Sequence, residues 1–406
     1  MALIVQKFGG TSVADIDRIK NVANKVKREV DEGNSVIVVV SAMAGVTNQL
    51  DGWVREISDL NAEVSKTEYD VVVSSGEQVT AGLLALTLQS MSVKAKTMLG
   101  SHIPIKTDET FAKARIESID CESINIALKE GNVIIVPGFQ GITSGGHIAT
   151  LGRGGSDTSA VAIAAALDAD RCDIYTDVDG VYTTDPRLAP KARKLNKISY
   201  EEVLEMASLG AKVLQTRSVE MAMKYNVPVH VRSSFSEDLG TLLVDEDEIM
   251  ERRLITGIAY SRNDAQITLV DVENTPGVAA DIFGPLAEAE INVDMIVQNI
   301  SEDGKATNVT FTIEKADLQR AISELEDANI TCKSILTNTE VSKISVIGVG
   351  MRSHAGLAQR MFKTLADNSI NIHVISTSEI KISVLVDEKY LELALRELHT
   401  AYELDN

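Results

Sequence analysis

The chain has 406 residues, and 39 Lys and Arg residues against 59 Asp and Glu residues give it a formal net charge of −20. This length allows two or three domains, and a hydrophobic share of 44% is sufficient for ordinary globular cores. Such an acidic chain lacks the basic face that sequence-independent nucleic-acid binding requires, and we expect no nucleic-acid partner.

The sequence also argues against a membrane or secreted location. No apolar run approaches the roughly 18 residues of a membrane-spanning helix. The apolar N-terminal run ends early, in Phe8-Gly9-Gly10, and does not resemble a signal peptide. Three cysteines at distant positions match no metal-binding spacing and are interpreted as buried residues or free thiols. We therefore expect a cytoplasmic protein.

Residues 1 to about 235 alternate short Val/Ile-rich runs with helical patterns. This alternation predicts a mostly parallel sheet that is covered by helices on both faces. The predicted strands are Leu3–Lys7, Val36–Val40, Val71–Ser74, Val133–Pro137, Cys172–Thr176 and Val227–Val231.

The sequence predicts a helix and a β-hairpin in this region from local patterns. The spacing of apolar residues predicts a helix over Thr11–Glu32, with Ser12 and Asp15 forming a capping box and Gly33 ending the helix. Two short extended runs around a glycine pair predict a β-hairpin over Phe139–Leu151.

An internal repeat follows the acidic cluster Asp245–Glu248, which predicts an exposed linker or a helix start. Matching Gly, Phe, Leu, Ala, Ile and Asn positions recur about 79 residues apart, with the copies beginning near Ile267 and Ile344. Each copy has the order strand, glycine turn, amphipathic helix, strand, strand, helix, which indicates a ferredoxin-like βαββαβ module. Two tandem modules indicate a paired regulatory unit.

Two glycine-rich loops that follow predicted strands are suited to anions. In Thr150–Ala160, three glycines surround Arg153 before a helix pattern, and close backbone approach, a forked cation and a helix N-terminus all favour a small anion. In Lys7–Ser12, a strand-end lysine with paired glycines suits nucleotide phosphates, although the order of residues is not that of a P-loop. Taken singly, each loop is equally compatible with an ordinary turn.

Three further loops carry polar residues at predicted strand ends. Ser41–Asn48 offers hydroxyls, and Ser74–Glu77 places a carboxylate that suits a substrate ammonium, unless Glu77 only stabilises the first turn of a helix. Thr176–Arg187 has the composition of a calcium loop, but its D-x-D-G spacing lacks the third ligand and the closing Glu of an EF-hand. A ribose, an adenine or a Mg²⁺–phosphate group suits this loop better.

Together these loops favour transfer of a phosphoryl group to a small acid. The cations Lys7, Arg153 and Lys212 supply the positive charge that such a transfer needs. A carboxylate acceptor has an unperturbed pKa of about 4 and is already ionised at neutral pH, so it requires no general base. The six histidines accordingly lie outside these loops.

These motifs resemble the aspartate kinase family of the amino-acid kinase superfamily. The resemblance rests on Lys7–Ser12, Ser74–Glu77, Thr150–Ser159 and Thr176–Arg187 in this order, and on repeats similar to the tandem ACT domains of that family. It implies a monofunctional enzyme that uses ATP and Mg²⁺ to phosphorylate the side-chain carboxylate of L-aspartate. The product would be 4-phospho-L-aspartate, in the first step of lysine, threonine and methionine biosynthesis.

The resemblance also implies the fold. It is an α/β fold, an open αβα sandwich with a mostly parallel sheet, followed by two ferredoxin-like ACT domains. The implied ranges are 1–245 for the amino-acid kinase domain, 265–340 for the first ACT domain and 341–406 for the second.

Site roles carry over residue by residue. Lys7 is expected to stabilise the transferring phosphoryl group, and Asp157 to organise that lysine. The expected aspartate-binding residues are Thr47, Glu77 on the ammonium, Arg153 on the α-carboxylate, Gly154, Gly155 and Ser156. The expected nucleotide-binding residues are Lys7, Phe8, Gly9, Gly10, Ser41, Ser156, Thr176, Asp177, Tyr182, Thr183, Thr184, Asp185, Pro186, Arg187 and Lys212. Mg²⁺ is expected to bridge the phosphates, and no metal-ligating residue is assigned.

The ACT resemblance implies feedback by lysine, threonine or both, bound between paired modules. The matching positions are Asp271, Gly277, Asn292, Val293, Asp294 and Gln298 in the first copy and Asn371, Ile372, Thr377 and Glu379 in the second. A homo-oligomer through the ACT domains is expected, and Met250 is a candidate internal start for a small subunit.

Two other functions stay open at this point. An acetylglutamate kinase-like enzyme would leave Glu77 without an ammonium partner, and the ACT modules argue against it. A non-catalytic amino-acid sensor would not need Lys7, Glu77, Arg153 and Asp157 all to be present.

Overall fold

The chain divides into two structural units. The computed structural model describes residues 2–58, 60, 63–99, 102, 104–208, 213–249, 254–302, 304–352, 354 and 356–405. The predicted nucleotide residue Lys212 and the candidate start Met250 lie outside the described residues. The first unit takes in the described residues up to Val181 and most of those from 194 to 249, and the second takes in Tyr182–Arg193 and the described residues from 254 onwards.

Strands and helices alternate through the first part of the chain, as the sequence predicts. The elements are β1 Leu3–Phe8, α1 Ile16–Asp31, β2 Ser35–Val40, α2 Val46–Ile57, α3 Glu63–Ser90, β3 Ala95–Thr97, β4 Ile105–Thr107, β5 Ile116–Ile119, α4 Cys121–Lys129, β6 Val133–Pro137, β7 Gln140–Thr143, β8 Ile148–Thr150, α5 Gly155–Ala166, β9 Arg171–Thr176, β10 Lys197–Ser199, α6 Tyr200–Ser208, α7 Thr216–Tyr225, β11 Val229–Ser233 and β12 Thr241–Val244.

The large sheet of this unit is mostly parallel, which confirms the predicted α/β class. Among the described strands its order is β10-β12-β11-β9-β1-β2-β6-β3, and β12 runs antiparallel to β11. Successive side chains of β1 point to opposite faces. Phe8 packs with Ile19 of α1 and Leu84 of α3, whereas Lys7 reaches Asp157 of α5. Helices therefore cover both faces of the sheet.

A smaller sheet carries the predicted hairpin. Its strand order is β5-β4-β7-β8, and β7 pairs with β8 in antiparallel register, Gln140 opposite Thr150. The hairpin prediction is confirmed. The chain leaves β8 directly into the Arg153 loop, so the smaller sheet sets where that loop begins.

The predicted strand Val71–Ser74 is wrong, because these residues lie inside α3. Consecutive valines favour strands, but α3 places Val73, Leu84 and Leu88 in the core, and this burial outweighs the local preference. The missed helix also contains Ser65–Ser90, which is long and apolar enough by composition to cross a membrane, since an 18-residue window within it has a mean hydropathy of 1.4. Half of that window is buried inside the protein, where α3 packs against β2, β3 and β6 as a core helix.

The helix after β1 begins later than predicted. Asp15 is its N-cap, with a side chain that accepts the Arg18 N–H at 2.8 Å, and Gly33 follows the last turn as expected. Ser12 takes no part in this cap, so the predicted capping box is wrong. Ser12 lies in a 3-10 turn, and its hydroxyl bonds to that of Ser234 instead.

The second unit contains two antiparallel sheets, each with helices. The elements are β13 Gly257–Ser261, β14 Asp264–Glu273, α8 Val278–Glu288, β15 Asp294–Ile300, β16 Ala306–Glu314, α9 Leu318–Asp327, β17 Ser334–Asn338, β18 Val341–Ile347, α10 Leu357–Asp367, β19 Val374–Thr377, β20 Lys381–Asp387 and α11 Leu391–Ala401.

The two repeats form the predicted ferredoxin-like modules, but the second is completed by a strand from outside the repeat. The first module has the order β15-β16-β14-β17, and the second has the order β13-β18-β20-β19. β13 precedes the first repeat in sequence, yet it pairs antiparallel with β18, where the first module has its own fourth strand. The second module therefore needs residues 257–261, which lie before either predicted ACT range.

Candidate active site

The carboxyl ends of parallel strands β6, β2, β1, β9 and β11 meet at one edge of the large sheet. Backbone bonds continue the sheet just beyond the strands, from Gly138 N–H to the Val40 carbonyl at 2.9 Å and from Gly9 N–H to the Tyr175 carbonyl at 3.2 Å. Ligands of open α/β sheets lie beyond this edge. The predicted loops at Gly9–Gly10, Ser41 and Thr176 all lie along it.

Lys7 and Asp157 form a short ion pair at this edge. Lys7 Nζ lies 2.6 Å from Asp157 Oδ1, and each side chain is 11% exposed. Asp157 lies in the first turn of α5, and Lys7 is the penultimate residue of β1. Phe8 points the other way, is fully buried and stacks on Tyr175 with ring centroids 4.6 Å apart. Phe8 can therefore meet a nucleotide only through its backbone.

The Arg153 loop enters the N-terminus of α5. Gly154 is the N-cap residue with φ 70°, a left-handed conformation that favours glycine. Gly155, Ser156 and Asp157 then form a buried first turn, while Arg153 remains exposed to solvent. The loop thus separates an exposed guanidinium from buried groups beside Lys7.

A buried aspartate holds the start of this loop. Asp70 of α3 accepts hydrogen bonds from the backbone N–H and the hydroxyl of Thr150, and from the Ala112 N–H at 2.9 Å. Burial raises the pKa of this carboxyl, and the three bonds partly offset the shift. Arg217 of α7 also holds the start of the loop, because its guanidinium donates to the Leu151 carbonyl at 3.1 Å. Sequence reasoning identified neither residue, because each acts on a loop that is distant in sequence.

Glu77 lies seven residues after Asp70, about two turns further along the same face of α3. Its Oε1 accepts the Ala42 N–H at 3.0 Å, just past β2, and the residue is only 3% exposed. Within the described residues, its buried Oε2 has no hydrogen-bond partner. Burial raises the pKa of Glu77 to about 7, and the Ala42 N–H opposes the shift. A buried carboxylate with one unsatisfied oxygen is suited to a cationic group.

The glycine before Glu77 is required for packing inside the helix. A Cβ on Gly76 would lie 2.7 Å from the Ala42 Cβ and 3.2 Å from Val46 Cγ1. This close contact brings α3 against the β2–α2 turn and sets Glu77 beside Ala42. Thr47, the second residue of α2, is partly buried in the same region.

The predicted nucleotide residues divide between the two units. In the first unit, Thr176 ends β9 and donates to the exposed Asp177 carboxylate at 3.1 Å. In the second unit, Thr183 and Thr184 are buried, whereas Pro186 and Arg187 are exposed. The remaining members are Tyr182, which is partly buried, and Asp185, which is bonded to Arg187 and to the Tyr260 hydroxyl.

The sheet edge contains one loop that sequence reasoning missed. Ser233 ends β11 opposite Thr176, and Ser234 N–H donates to the Thr176 carbonyl at 2.9 Å. Burial of both serines and the Ser12–Ser234 hydroxyl bond tie this loop to the turn after β1. The strand was predicted, so inspection of its carboxyl end would have found these residues.

The predicted effector residues of the first copy lie in two groups. Asp271 and Gly277 precede α8, whereas Asn292, Val293 and Asp294 follow it. The two groups are thus separated by an 11-residue helix about 16 Å long. Gln298 is exposed further along β15.

Asp294 is already engaged between the two modules. Its carboxylate lies 2.7 Å from Lys343 Nζ of β18, and the same buried ammonium lies 3.4 Å from Asp264 of β14. Burial would raise the pKa of Asp294, but the hydrogen bond and charge of Lys343 outweigh it and lower the pKa. Asp294 therefore links the modules in this structure.

The second-copy effector positions flank β19. Asn371 is exposed and Ile372 partly buried just before the strand, and Thr377 and Glu379 are exposed at its far end. A separate groove of about 490 Å³ lies beside the Gly277 turn of the first module, and Glu273, Asp281 and Glu288 contribute acidic groups to its lining. None of the ten predicted effector positions is among its lining residues.

In the described part of the chain, no group of three or more His, Cys, Asp or Glu residues is placed to hold a metal ion. The site instead combines one buried ion pair, a glycine-capped helix N-terminus and a buried carboxylate.

A parallel sheet with these groups at its carboxyl edge, followed by ferredoxin-like modules, defines a small-molecule kinase with a regulatory region. Residues 2–233 match the model of the amino acid kinase family. Residues 266–329 and 344–402 each match a model of the ACT domain.

Full-length relatives give the particular family. The chain is 55% identical over 409 residues to an aspartokinase of Pseudomonas aeruginosa, covering 100% of this chain and 98% of the relative. It is 48% identical to an aspartokinase of Helicobacter pylori, with 99% and 100% covered. E. coli aspartokinase III in complex with aspartate and ADP (R-state) has a TM-score of 0.80 and 28% identity, over 98% of this chain and 99% of that one. The chain belongs to the aspartate kinase family and is an enzyme.

Proposed function

We propose that the chain catalyses the reaction of ATP with L-aspartate to give ADP and 4-phospho-L-aspartate. The observation that supports this most strongly is the buried Glu77 carboxylate, whose Oε2 has no partner among the described residues. A ligand with an ammonium group would satisfy this oxygen. An acylated amine, as in acetylglutamate, is uncharged and could not neutralise a buried carboxylate.

Aspartate binding would use Glu77 and Arg153 on the two charged groups of the amino acid. The Arg153 guanidinium is exposed ahead of α5, and its fork matches the α-carboxylate in bidentate geometry. Thr47, Gly154, Gly155 and Ser156 are the further proposed contacts. Because both α-substituents are then held, the side-chain carboxylate is the group left to react.

Lys7 is the proposed catalytic cation. Asp157 keeps its ammonium in one position, at 2.6 Å, so the positive charge is pre-organised before the reaction. An oxygen of the aspartate side chain would form a bond to the γ-phosphorus of ATP while the bond to the ADP oxygen breaks. The acceptor is already ionised, so no proton has to be removed.

The turn after β1 fits nucleotide phosphates, since Lys7 and the Gly9–Gly10 backbone lie at the sheet edge. Ser41, Ser156, Thr176 and Asp177 are the other proposed nucleotide contacts in the first unit. In the second unit the proposed contacts are in Tyr182–Arg187. Mg²⁺, held mainly by the phosphates, would supply further charge neutralisation.

We further propose feedback by an amino acid at the ACT modules. E. coli aspartokinase III has been solved with lysine and aspartate (T-state), at a TM-score of 0.79 and 28% identity to this chain. The groove beside Gly277 presents Glu273, Asp281 and Glu288, which favour an effector that carries ammonium groups. Lysine would gain more from these carboxylates than threonine, because it has two such groups.

Assembly and pathway are part of the same proposal. The product would enter lysine, threonine and methionine biosynthesis, the ACT modules would join copies of the chain, and a small subunit would start near Met250. Mass spectrometry that finds only full-length chain would exclude the small subunit.

A hydroxamate assay with aspartate, ATP and Mg²⁺ tests the main proposal, because hydroxylamine traps an acyl phosphate. We expect trapping that requires both substrates. Trapping with acetylglutamate but not aspartate would indicate the other carboxylate kinase, and no trapping with either would favour a non-catalytic sensor. Repeating the assay with lysine, with threonine and with both identifies the effector.

A further inference from the structure

A hydrogen bond between two buried side chains joins the proposed nucleotide segment to the last helix of the chain. Thr183 Oγ1 lies 2.9 Å from His399 Nε2, and the two residues are 0% and 1% exposed. Thr183 belongs to the segment Tyr182–Arg193 and His399 to α11, both within the second unit. Water cannot replace either partner at this depth, so loss of one side chain would cost the other this hydrogen bond without compensation.

The backbone around Thr183 is held as firmly as its side chain. Its carbonyl accepts the Ile258 N–H of β13 at 2.7 Å, and its N–H donates to the Arg193 carbonyl at 2.8 Å. Its hydroxyl oxygen also accepts the Arg193 N–H at 3.0 Å. Burial lowers the pKa of His399, in keeping with a neutral ring.

Helix α11 makes a second bond to the same segment. Arg396, one turn before His399, donates through Nε to the Leu188 carbonyl at 2.8 Å. From β13, the Tyr260 hydroxyl donates to Asp185 Oδ2 at 3.0 Å. The second ACT module and the strand that completes it therefore hold this segment at several points.

We propose that His399 is a positioning residue for the nucleotide. Through Thr183 it keeps Tyr182–Arg187 in the conformation that binds ATP. This inference rests on the proposed function, in which that stretch contacts ATP. Since Thr183 and Thr184 are buried and Pro186 and Arg187 are exposed, the anchored threonines determine which way the exposed residues project. The last helix of the regulatory region thereby sets the affinity for ATP.

The test uses steady-state kinetics of full-length variants, without effectors, with ATP and aspartate varied in turn. His399→Leu removes the hydrogen bond, and His399→Gln keeps an amide group that can donate or accept near the position of Nε2. Because one buried hydrogen bond is lost, we expect His399→Leu to raise KM for ATP about fivefold to tenfold and to leave KM for aspartate within about twofold. His399→Gln should restore most of the affinity. His373→Gln, at an exposed histidine of the same module, is the control and should change neither KM.

A second pair of variants covers the case in which His399→Leu fails to fold. Thr183→Val removes the same bond from the other side, whereas Thr183→Ser keeps the hydroxyl, and the same contrast in KM for ATP is expected. An unchanged KM for ATP in folded His399→Leu, or an equal rise for both substrates, would overturn the inference. Absence of activity in the unsubstituted protein would instead contradict the proposed function, so the two failures are distinguishable.

Discussion

Arg153 and Asp157 are four residues apart and lie in different surroundings, so their substitutions should affect different kinetic constants. Arg153 is exposed before α5, whereas Asp157 is buried and forms an ion pair with Lys7. We expect Arg153→Ala to raise KM for aspartate about tenfold or more with little change for ATP. Asp157→Ala should lower kcat about 100-fold, because Lys7, the proposed catalytic cation, loses its orientation. Steady-state kinetics checks both, and the same pattern in the two variants would contradict these roles.

The surroundings of Glu77 predict a pH dependence of stability. Burial raises the pKa of Glu77 from 4.5 to about 7. Between these pH values the folded protein holds a proton that the unfolded chain has released, so this group's contribution to the free energy of unfolding falls as the pH rises. Glu77→Gln removes this effect. Relative to the unsubstituted protein, we expect the variant to gain about 2 kcal/mol between pH 5 and pH 8.

Urea unfolding without substrate at both pH values measures this gain. Glu68→Gln, at an exposed glutamate of the same helix, is the matched control and should show no gain. In activity assays, Glu77→Gln should raise KM for aspartate, because the neutral amide lacks the negative charge that attracts the ammonium of the proposed substrate. An unchanged KM for aspartate in Glu77→Gln would remove the support for the ammonium role.

Individual site residues could be predicted from the sequence where the residues next to them in the chain indicate their role. Lys7 and Arg153 stand beside glycines at strand ends, where one sequence window contains the whole pattern. Asp70 gave no such signal, because its partners Thr150 and Ala112 are distant in the chain and only the folded helix brings them together. Ser234 was missed although its strand was predicted.

Helix α3 supports both ends of the proposed aspartate site. Glu77 and Asp70 are seven residues apart, which places them on one face of the helix; Glu77 bonds beyond β2, and Asp70 bonds to Thr150 at the start of the Arg153 loop. We expect Asp70→Asn to lower the free energy of unfolding by about 1–3 kcal/mol, since an amide NH₂ would meet groups that donate. It should also raise KM for aspartate more than KM for ATP.

Thermal unfolding and steady-state kinetics of Asp70→Asn test this role of α3. Glu68→Gln again serves as the control, because Glu68 is exposed and lies on the same helix. Loss of stability with both KM values unchanged would show that Asp70 supports the fold without positioning the Arg153 loop.

Elements were predictable where neighbours in sequence are neighbours in space. The hairpin β7–β8 and the strand–helix–strand order of the modules follow from local turns and apolar spacing. Helix α3 was misread in part because three valines favour a strand until the buried face of the whole helix is considered. The pairing of β13 with β18 was not predictable, since about 80 residues, an entire module, separate the two strands.

The two ACT modules are interleaved at the scale of the whole regulatory region. Lys343 of the second module reaches Asp264 and Asp294 of the first, and Met295 and Val374 join edge strands β15 and β19 in one apolar cluster. Strand β13 also connects the modules through the chain itself, because it precedes the first module in sequence and completes the sheet of the second. The tandem repeat of the sequence is therefore not a pair of separable domains.

This interleaving predicts where a regulatory fragment can begin. A fragment of residues 250–406 includes β13, whereas a fragment of residues 264–406 lacks it and exposes the edge of β18. Loss of β13 removes the buried Ile258 and the partly buried Tyr260 from the core of the second module. We expect the shorter fragment to be less stable by about 2–4 kcal/mol, because apolar burial and a row of strand hydrogen bonds are lost. We also expect it to aggregate through the open edge of β18.

Thermal unfolding measures the difference in stability between the two fragments, and size-exclusion chromatography measures aggregation. Equal stability and equal size would show that the second module folds without β13, and a start near residue 250 would then have no structural advantage over a later one.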